Sequence, residues 1–167
     1  YVKPQVAEGR LELDLTLQND SSLTATVSIG GDIRPWINGA GKDVQSAPVP
    51  KWTLGQIALT LPSQQAKVAA KSTAKLTVSV PVKNEMNYWT PKTPNLYGLT
   101  LQLNASKTQI DCKYLRFGWR QWTFANNKLC LNGSPIELHG DSWHFQGIPQ
   151  MTRRYAWAWF TAIKEAN

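Results

Sequence analysis

Residues 10–18 read "RLELDLTLQ". Leu11, Leu13, Leu15 and Leu17 occupy every second position, with charged or polar residues between them. Side chains of a β-strand alternate between the two faces of a sheet, so this spacing predicts a strand with one buried and one wet face. "NDSS" (19–22) follows as a turn, and "LTATVSIG" (23–30) alternates again. The pattern returns in "LGQIALTL" (54–61), "AKLTVSVPV" (74–82), "NLYGLTLQL" (95–103) and "TQIDCKYLRF" (108–117). Connectors rich in Gly, Pro, Ser and Asn separate them, among them "NGAGKD" (38–43) and "SAPVPK" (46–51). About seven short strands in roughly 110 residues, each with one apolar face, predict an antiparallel β-sandwich of immunoglobulin type over residues 1–117.

Past Phe117 the character changes. "GWRQWTFANNKLCLNGSPIELHG" (118–140) carries two tight turns, "ANN" and "NGS", between short strands, so residues 118–134 read as a connecting hairpin segment. Five of the eight tryptophans follow residue 111. A strand is expected at about 135–140. "TRRYAWAWFTAIKEA" (152–166) then takes the helical period: Tyr155, Trp159 and Ile163 recur every fourth residue, with Ala156 and Phe160 beside them. Thr152 is placed to cap this helix. Strand, loop and amphipathic helix make one β/α unit, which cannot bury its own faces without neighbours.

Composition bounds the function. At 42% hydrophobic and 17% charged residues in a chain of 167, the protein is globular with a real core. No apolar run approaches the ~20 residues that span a bilayer, so no membrane partner is expected. The net charge is +7. It is spread along the chain, with 11 basic against 7 acidic residues over 1–110 and 7 against 4 over 111–167. That reads as solvated surface, and no nucleic-acid partner is expected. The chain opens on "YVKPQVAEGR", without Met or an apolar signal segment, and reads as an excised piece whose compartment is not encoded at its N-terminus. Cys112 and Cys130 lack the CxxC spacing of a zinc site. They fall on neighbouring predicted strands, where a bridge is geometrically feasible, but two buried free thiols are the simpler reading. No metal or other cofactor is expected.

Three stretches carry a resemblance. "YWTPKTPNLYGLTLQL" (88–103) holds Trp89, Pro91, Pro94, Leu96 and Tyr97 in a W-x-P-x-x-P-x-L-Y run. "DCKYLRFGWRQW" (111–122) holds Arg116, Phe117, Gly118, Trp119 and Arg120 where R-F-G-F-R would stand. "LCLNGSPIELHGDSWH" (129–144) holds an L-N-G-x-P followed by a strand. In this order the three resemble glycoside hydrolase family 2, the β-galactosidases, β-glucuronidases, β-mannosidases and their relatives. The resemblance implies an immunoglobulin-like sandwich leading into a catalytic (β/α)8 barrel, with residues 135–167 as the start of that barrel. It implies a parent enzyme that hydrolyses terminal β-linked sugars by a retaining, exo-acting route, with its acid/base and nucleophile glutamates on later barrel strands. Partners so implied are the carbohydrate substrate and the adjoining barrel and N-terminal domains. Where the galactosidase and glucuronidase branches read R-G-x-N-R-H, only Gly140 and His144 match, and His139, Ser142 and Trp143 depart. The mannosidase branch places a Trp where Trp143 stands. The resemblance therefore names no single sugar.

Retaining glycosidases hold two carboxyl groups ~5–5.5 Å apart and inverting ones ~6.5–9.5 Å. Glu137 and Asp141, four residues apart on one strand, would be about 13 Å apart, too far for either. No catalytic residue is expected in this chain, and its own role is expected to be that of a scaffold. Barrel enzymes build their sites at the C-terminal ends of the strands. His144 is thus expected to line the sugar subsite, with Trp143 offering an aromatic face and Asp141 beside them. The plainer alternative has Trp143 in a core and His144 bonded to a loop; His139 reads as structural. Trp36 and Trp52 border the Pro/Gly connectors and either stack on sugar rings or pack at the sandwich end. The first would make the chain a carbohydrate-binding or cell-surface interaction module. Trp89, Leu96 and Tyr97 read as packing, and Arg116 and Arg120 as bridges from sandwich to barrel. Residues after about 145 are expected to fray or to pair with another surface, either the sandwich or the same segment of a second chain.

Overall fold

The computed structural model of the chain describes residues 1–39, 51–140 and 152–166. It forms two compact units. One holds Tyr1–Trp36 with Leu54–Ile136, the other Ile37–Thr53 with Glu137–Asn167. Asp141, Trp143 and His144, and most of both Gly/Pro-rich connectors, lie outside the described residues.

The first unit is the expected antiparallel sandwich. One sheet has β1 (Val2–Gln5), β2 (Arg10–Asn19) and β6 (Ser72–Pro81) in the order β1-β2-β6. The other is built around β3 (Ala25–Asn38), in the order β4-β3-β7-β8, with β5 also paired to β3. Here β4 is Trp52–Leu54, β5 Leu59–Val68, β7 Tyr97–Ala105 and β8 Thr108–Phe117. The alternation of residues 10–18 is realised directly. Leu11 faces Val80 and Leu13 faces Val78 across the β2/β6 ladder, and Leu11 and Leu13 are both 0% exposed. Their apolar sides meet Ile29, Ile33, Leu61, Leu99 and Leu101 of the other sheet in one core. Each such side chain contributes about 1.5–3 kcal/mol on burial.

Two strands differ from the sequence reading. β3 continues through Gly30 and Gly31 to Asn38. Gly31 allows this because a Cβ there would lie 2.0 Å from the Thr100 carbonyl oxygen, so only a bare backbone lets β3 approach β7. The stretch 54–61 is not one strand: β4 ends at Leu54 and β5 starts at Leu59. Between them Gly55 N–H donates to Pro35 O (2.9 Å) and Ala58 N–H to Ile33 O (2.8 Å), so the chain arches between two anchor points on β3.

After Phe117 a small sheet follows, β9 (Trp122–Ala125), β10 (Lys128–Leu131) and β11 (Ser134–Pro135), in the order β11-β10-β9. Its turns are the two expected. Asn126 and Asn127 have φ 50° and 58°, and Asn132 and Gly133 have φ 51° and 82°. Two successive positive φ values make the turn whose twist matches a hairpin, and Asn and Gly tolerate them. The strand expected at 135–140 is shorter than the pattern suggested. β11 ends at Pro135, Ile136 N–H still reaches Leu129 O (2.9 Å), and Leu138 is 68% exposed. A strand beyond that point needs a partner for its backbone groups, and none is present among the described residues.

In the second unit, α1 (Arg153–Glu165) is the expected helix. Thr152 caps it, its Oγ1 accepting from Tyr155 N–H at 3.2 Å. Tyr155 and Trp159 stack one turn apart, rings 6.4 Å between centroids and 5° from parallel. No residue of α1 is buried.

Candidate functional site

The three stretches singled out in the sequence converge at one end of the sandwich. The loop before β7 and the segment after β8 come together first. Tyr88 bridges Trp119, and Trp89 N–H donates to Trp119 O at 2.9 Å. Trp89 also pairs with Pro94, so the proline-rich loop closes on itself, and Asn95 Nδ2–H holds the Tyr88 carbonyl at 2.9 Å. The two prolines flanking "KT" stiffen this loop by fixing their own φ.

The turn after β10 locks onto the same point. Asn132 Nδ2–H donates to Trp89 O (3.1 Å), its Oδ1 accepts from Gln121 N–H (2.9 Å), and its own N–H donates to Gln121 O (2.8 Å). Gln121 in turn accepts from Ala7 N–H through Oε1 at 3.0 Å. One amide side chain thus ties the "NG" turn to both other stretches. It sits at positive φ, where Asn is among the few side chains tolerated.

Aromatic and cationic groups fill the space between. The Arg120 guanidinium lies 4.1 Å over the Trp89 ring, and that of Arg116 lies 5.0 Å over Trp36. Gly118 makes room, for a Cβ there would come within 2.9 Å of the Trp89 side chain. Tyr97 is 4% exposed, packs on Phe117 (6.1 Å between centroids), and accepts from Asn87 N–H at 2.7 Å through its hydroxyl. Trp89, Leu96 and Tyr97 therefore pack, as their pattern indicates. Arg116 and Arg120, expected to bridge sandwich to barrel, each stack on a tryptophan of the sandwich unit. A planar guanidinium gains more over an indole face than in open solvent. Trp36 carries Arg116 on its ring, and Trp52 is 47% exposed.

Carboxylates are dispersed. Glu8 and Glu12 share Arg10, at 2.7 and 2.9 Å, Asp32 pairs with Arg34 at 2.7 Å, and Asp14 with Lys3. Asp111 accepts from the Cys112 backbone N–H at 2.7 Å. Glu137 and His139 are exposed, and Asp141, the carboxylate weighed against Glu137 and expected to lie too far from it, is outside the described residues. Among the described residues no three His, Cys, Asp or Glu side chains gather to hold a metal ion. Both cysteines are free, Cys130 buried and Cys112 half-buried. They are not on neighbouring strands: β8 and β10 belong to different sheets.

The sequence reading missed Asn132, Gln121 and Asn95 as the residues joining the three stretches. The signal was present in the Asn of "LNG", but its target lies far away in the chain and is fixed only by the fold.

The chain is similar to known proteins. The family described as glycosyl hydrolases family 2 matches residues 1–120. A β-galactosidase of Enterobacter cloacae is 34% identical over 71 residues, covering 42% of this chain and 7% of that protein. Bacteroides uniformis β-glucuronidase 2, solved covalently bound to cyclophellitol-6-carboxylate aziridine, superposes with a TM-score of 0.65 at 23% identity. That match covers 99% of this chain and 19% of the other. The β-D-mannosidase of Dictyoglomus thermophilum gives 0.53 at 19% identity, over 80% of this chain and 15% of that one. The chain thus spans a small part of each relative.

Proposed function

This chain belongs to glycosyl hydrolases family 2, and on that premise we propose that it is the scaffold portion of a glycosidase that releases terminal β-linked sugars. Residues 1–117 are the sandwich, 118–134 the connecting hairpin, and 135–167 the opening of a (β/α)8 barrel. The observation that carries this reading is the Asn132–Trp89–Gln121 node. It fixes where the chain leaves the sandwich, and so the point from which an adjoining domain starts, which is what a scaffold has to supply.

In the whole protein the catalytic carboxylates belong to later barrel strands, and the reaction is retaining. Covalent capture of a cyclophellitol aziridine by one structural relative fits that course, which passes through a glycosyl-enzyme. His144 lines the sugar subsite, with Trp143 and Asp141 at the same strand end. The partners are the carbohydrate substrate and the adjoining barrel and N-terminal domains. On the chain by itself, α1 self-associates through the face of Tyr155, Trp159, Phe160 and Ile163, the last three 48%, 60% and 46% exposed.

The test is direct. The purified chain should turn over no aryl β-galactoside, β-glucuronide or β-mannoside. Hydrolysis that disappears on Glu137→Gln or Asp141→Asn would overturn the scaffold reading.

A further inference from the structure

We propose that a concave site at the end of the sandwich, beside the β6–β7 connection, binds a single sugar residue and prefers one bearing a carboxylate. The cavity measures about 310 Å³. That is the small end of the range for ligand sites, suited to one pyranose rather than an oligosaccharide. Val82, Met86 and Trp119 lie beneath it, 4%, 5% and 3% exposed, and the surface the cavity itself presents is mostly polar. Its rim is polar: Lys83, Asn84, Asn87 and Tyr88.

Each rim group suits one part of a sugar. Tyr88 is 53% exposed, and its ring offers a flat amphipathic face to the C–H side of a pyranose. The amides of Asn84 and Asn87 each both donate and accept, as vicinal hydroxyls demand. The Lys83 ammonium is a compact cation that matches a carboxylate. Among the described residues the side chains of Lys83, Asn84 and Asn87 make no hydrogen bond or salt bridge; the Glu85 carboxylate, held by the Lys83 backbone N–H, acts on the Lys83 ammonium only through space.

The rim backbone, by contrast, is fixed. Lys83 N–H donates to Glu85 Oε2 (2.6 Å), Asn87 N–H to the Tyr97 hydroxyl (2.7 Å), and the Tyr88 carbonyl accepts from Asn95 (2.9 Å). A rim held in place loses little freedom on binding, which separates a built site from a solvated surface. The inference stands apart from the scaffold reading, since a chain without hydrolase activity can bind here and an active one can fail to.

The experiment is a titration of the ¹⁵N-labelled full chain followed by amide NMR shifts, with D-glucuronate, D-glucose and acetate as separate probes. Saturable shifts are expected at Gly9 and residues 83–88, with glucuronate binding at about millimolar strength, glucose more weakly, and acetate without effect. Tyr88→Ala should weaken both sugars about tenfold. Lys83→Met should bring glucuronate down to the level of glucose and leave glucose unchanged. Both positions are exposed, and Asn84→Ala, also at an exposed position, should weaken both sugars without touching the charge. No saturable shift with either sugar, shifts indifferent to all three substitutions, or acetate acting as well as glucuronate would overturn the proposal.

Discussion

The guanidinium of Arg120 lies 4.1 Å above the centroid of the Trp89 ring. The two residues come from separate stretches of the sequence. The same two stretches are also joined by the bond from Trp89 N–H to Trp119 O. Removing the stacking should cost what a partly desolvated cation–π contact contributes, about 0.5–2 kcal/mol for Arg120→Ala. Arg120→Lys keeps the charge without the flat guanidinium and should fall between. Urea unfolding of the three proteins checks this, and equal midpoints would show that the stacking adds nothing.

Gly118 and Gly31 should respond differently to alanine. At Gly118 the added methyl comes within 2.9 Å of Trp89 Cβ and Cγ, so the proline-rich loop must give by a few tenths of an ångström, an overpacking cost of about 1–3 kcal/mol. At Gly31 it would sit 2.0 Å from a backbone oxygen of the paired strand, so the β3/β7 ladder itself must part. Gly31→Ala is expected to be the more damaging by a clear margin in thermal unfolding, and the reverse order would contradict the geometry.

Asn132→Ala removes one side chain that serves two partners, leaving Gln121 N–H and Trp89 O unbonded at a part-buried site. About 2–3 kcal/mol should be lost. Asn132→Asp keeps the acceptor for Gln121 but turns an oxygen towards the Trp89 carbonyl, so it should not rescue. Unfolding curves on both variants, with the hairpin amides of 121–132 followed by hydrogen exchange, distinguish local loosening from global loss.

Stability should fall in acid through two exposed carboxylates. The Lys3 ammonium, and then the Thr77 hydroxyl, hold Asp14 below its usual 3.8. The Glu85 backbone N–H, and then that of Lys83, hold Glu85 below its usual 4.5. Depressed groups stabilise fully above their unfolded values and lose that contribution as pH drops through the folded ones. Unfolding midpoints should therefore be level down to about pH 4.5 and decline below it. Asp14→Asn should flatten part of the decline, and an unchanged slope would remove Asp14 from the account. Lys3, raised above 10.5 first by its bond to Asp14, acts in the opposite sense: its contribution is present below 10.5 and fades as the pH climbs beyond it.

Thr152→Ala should unwind the start of α1. The Tyr155 N–H loses its acceptor, at a cost of about 1 kcal/mol. Thr152→Ser and Thr152→Asp should keep the cap. Loss of ellipticity at the helical band confined to the alanine variant is the expected result.

Much of this architecture was written locally. The leucines of 11–17 alternate because successive strand side chains point to opposite faces, and that alone placed β2 and its buried side. The "ANN" and "NGS" turns were legible because few residues accept positive φ, and α1 with its Thr152 cap because its spacing and first residue are both local signals. The three stretches of the site could be read one by one for the same reason. Their meeting could not. That Asn132 reaches Trp89, that Arg120 lies on that ring, and that Cys112 and Cys130 end on different sheets depend on strand order and register across the whole sandwich. The same holds for residues 136–140: their sequence pattern is that of a strand, but a strand exists only where another backbone completes its hydrogen bonds, and no local pattern supplies that partner.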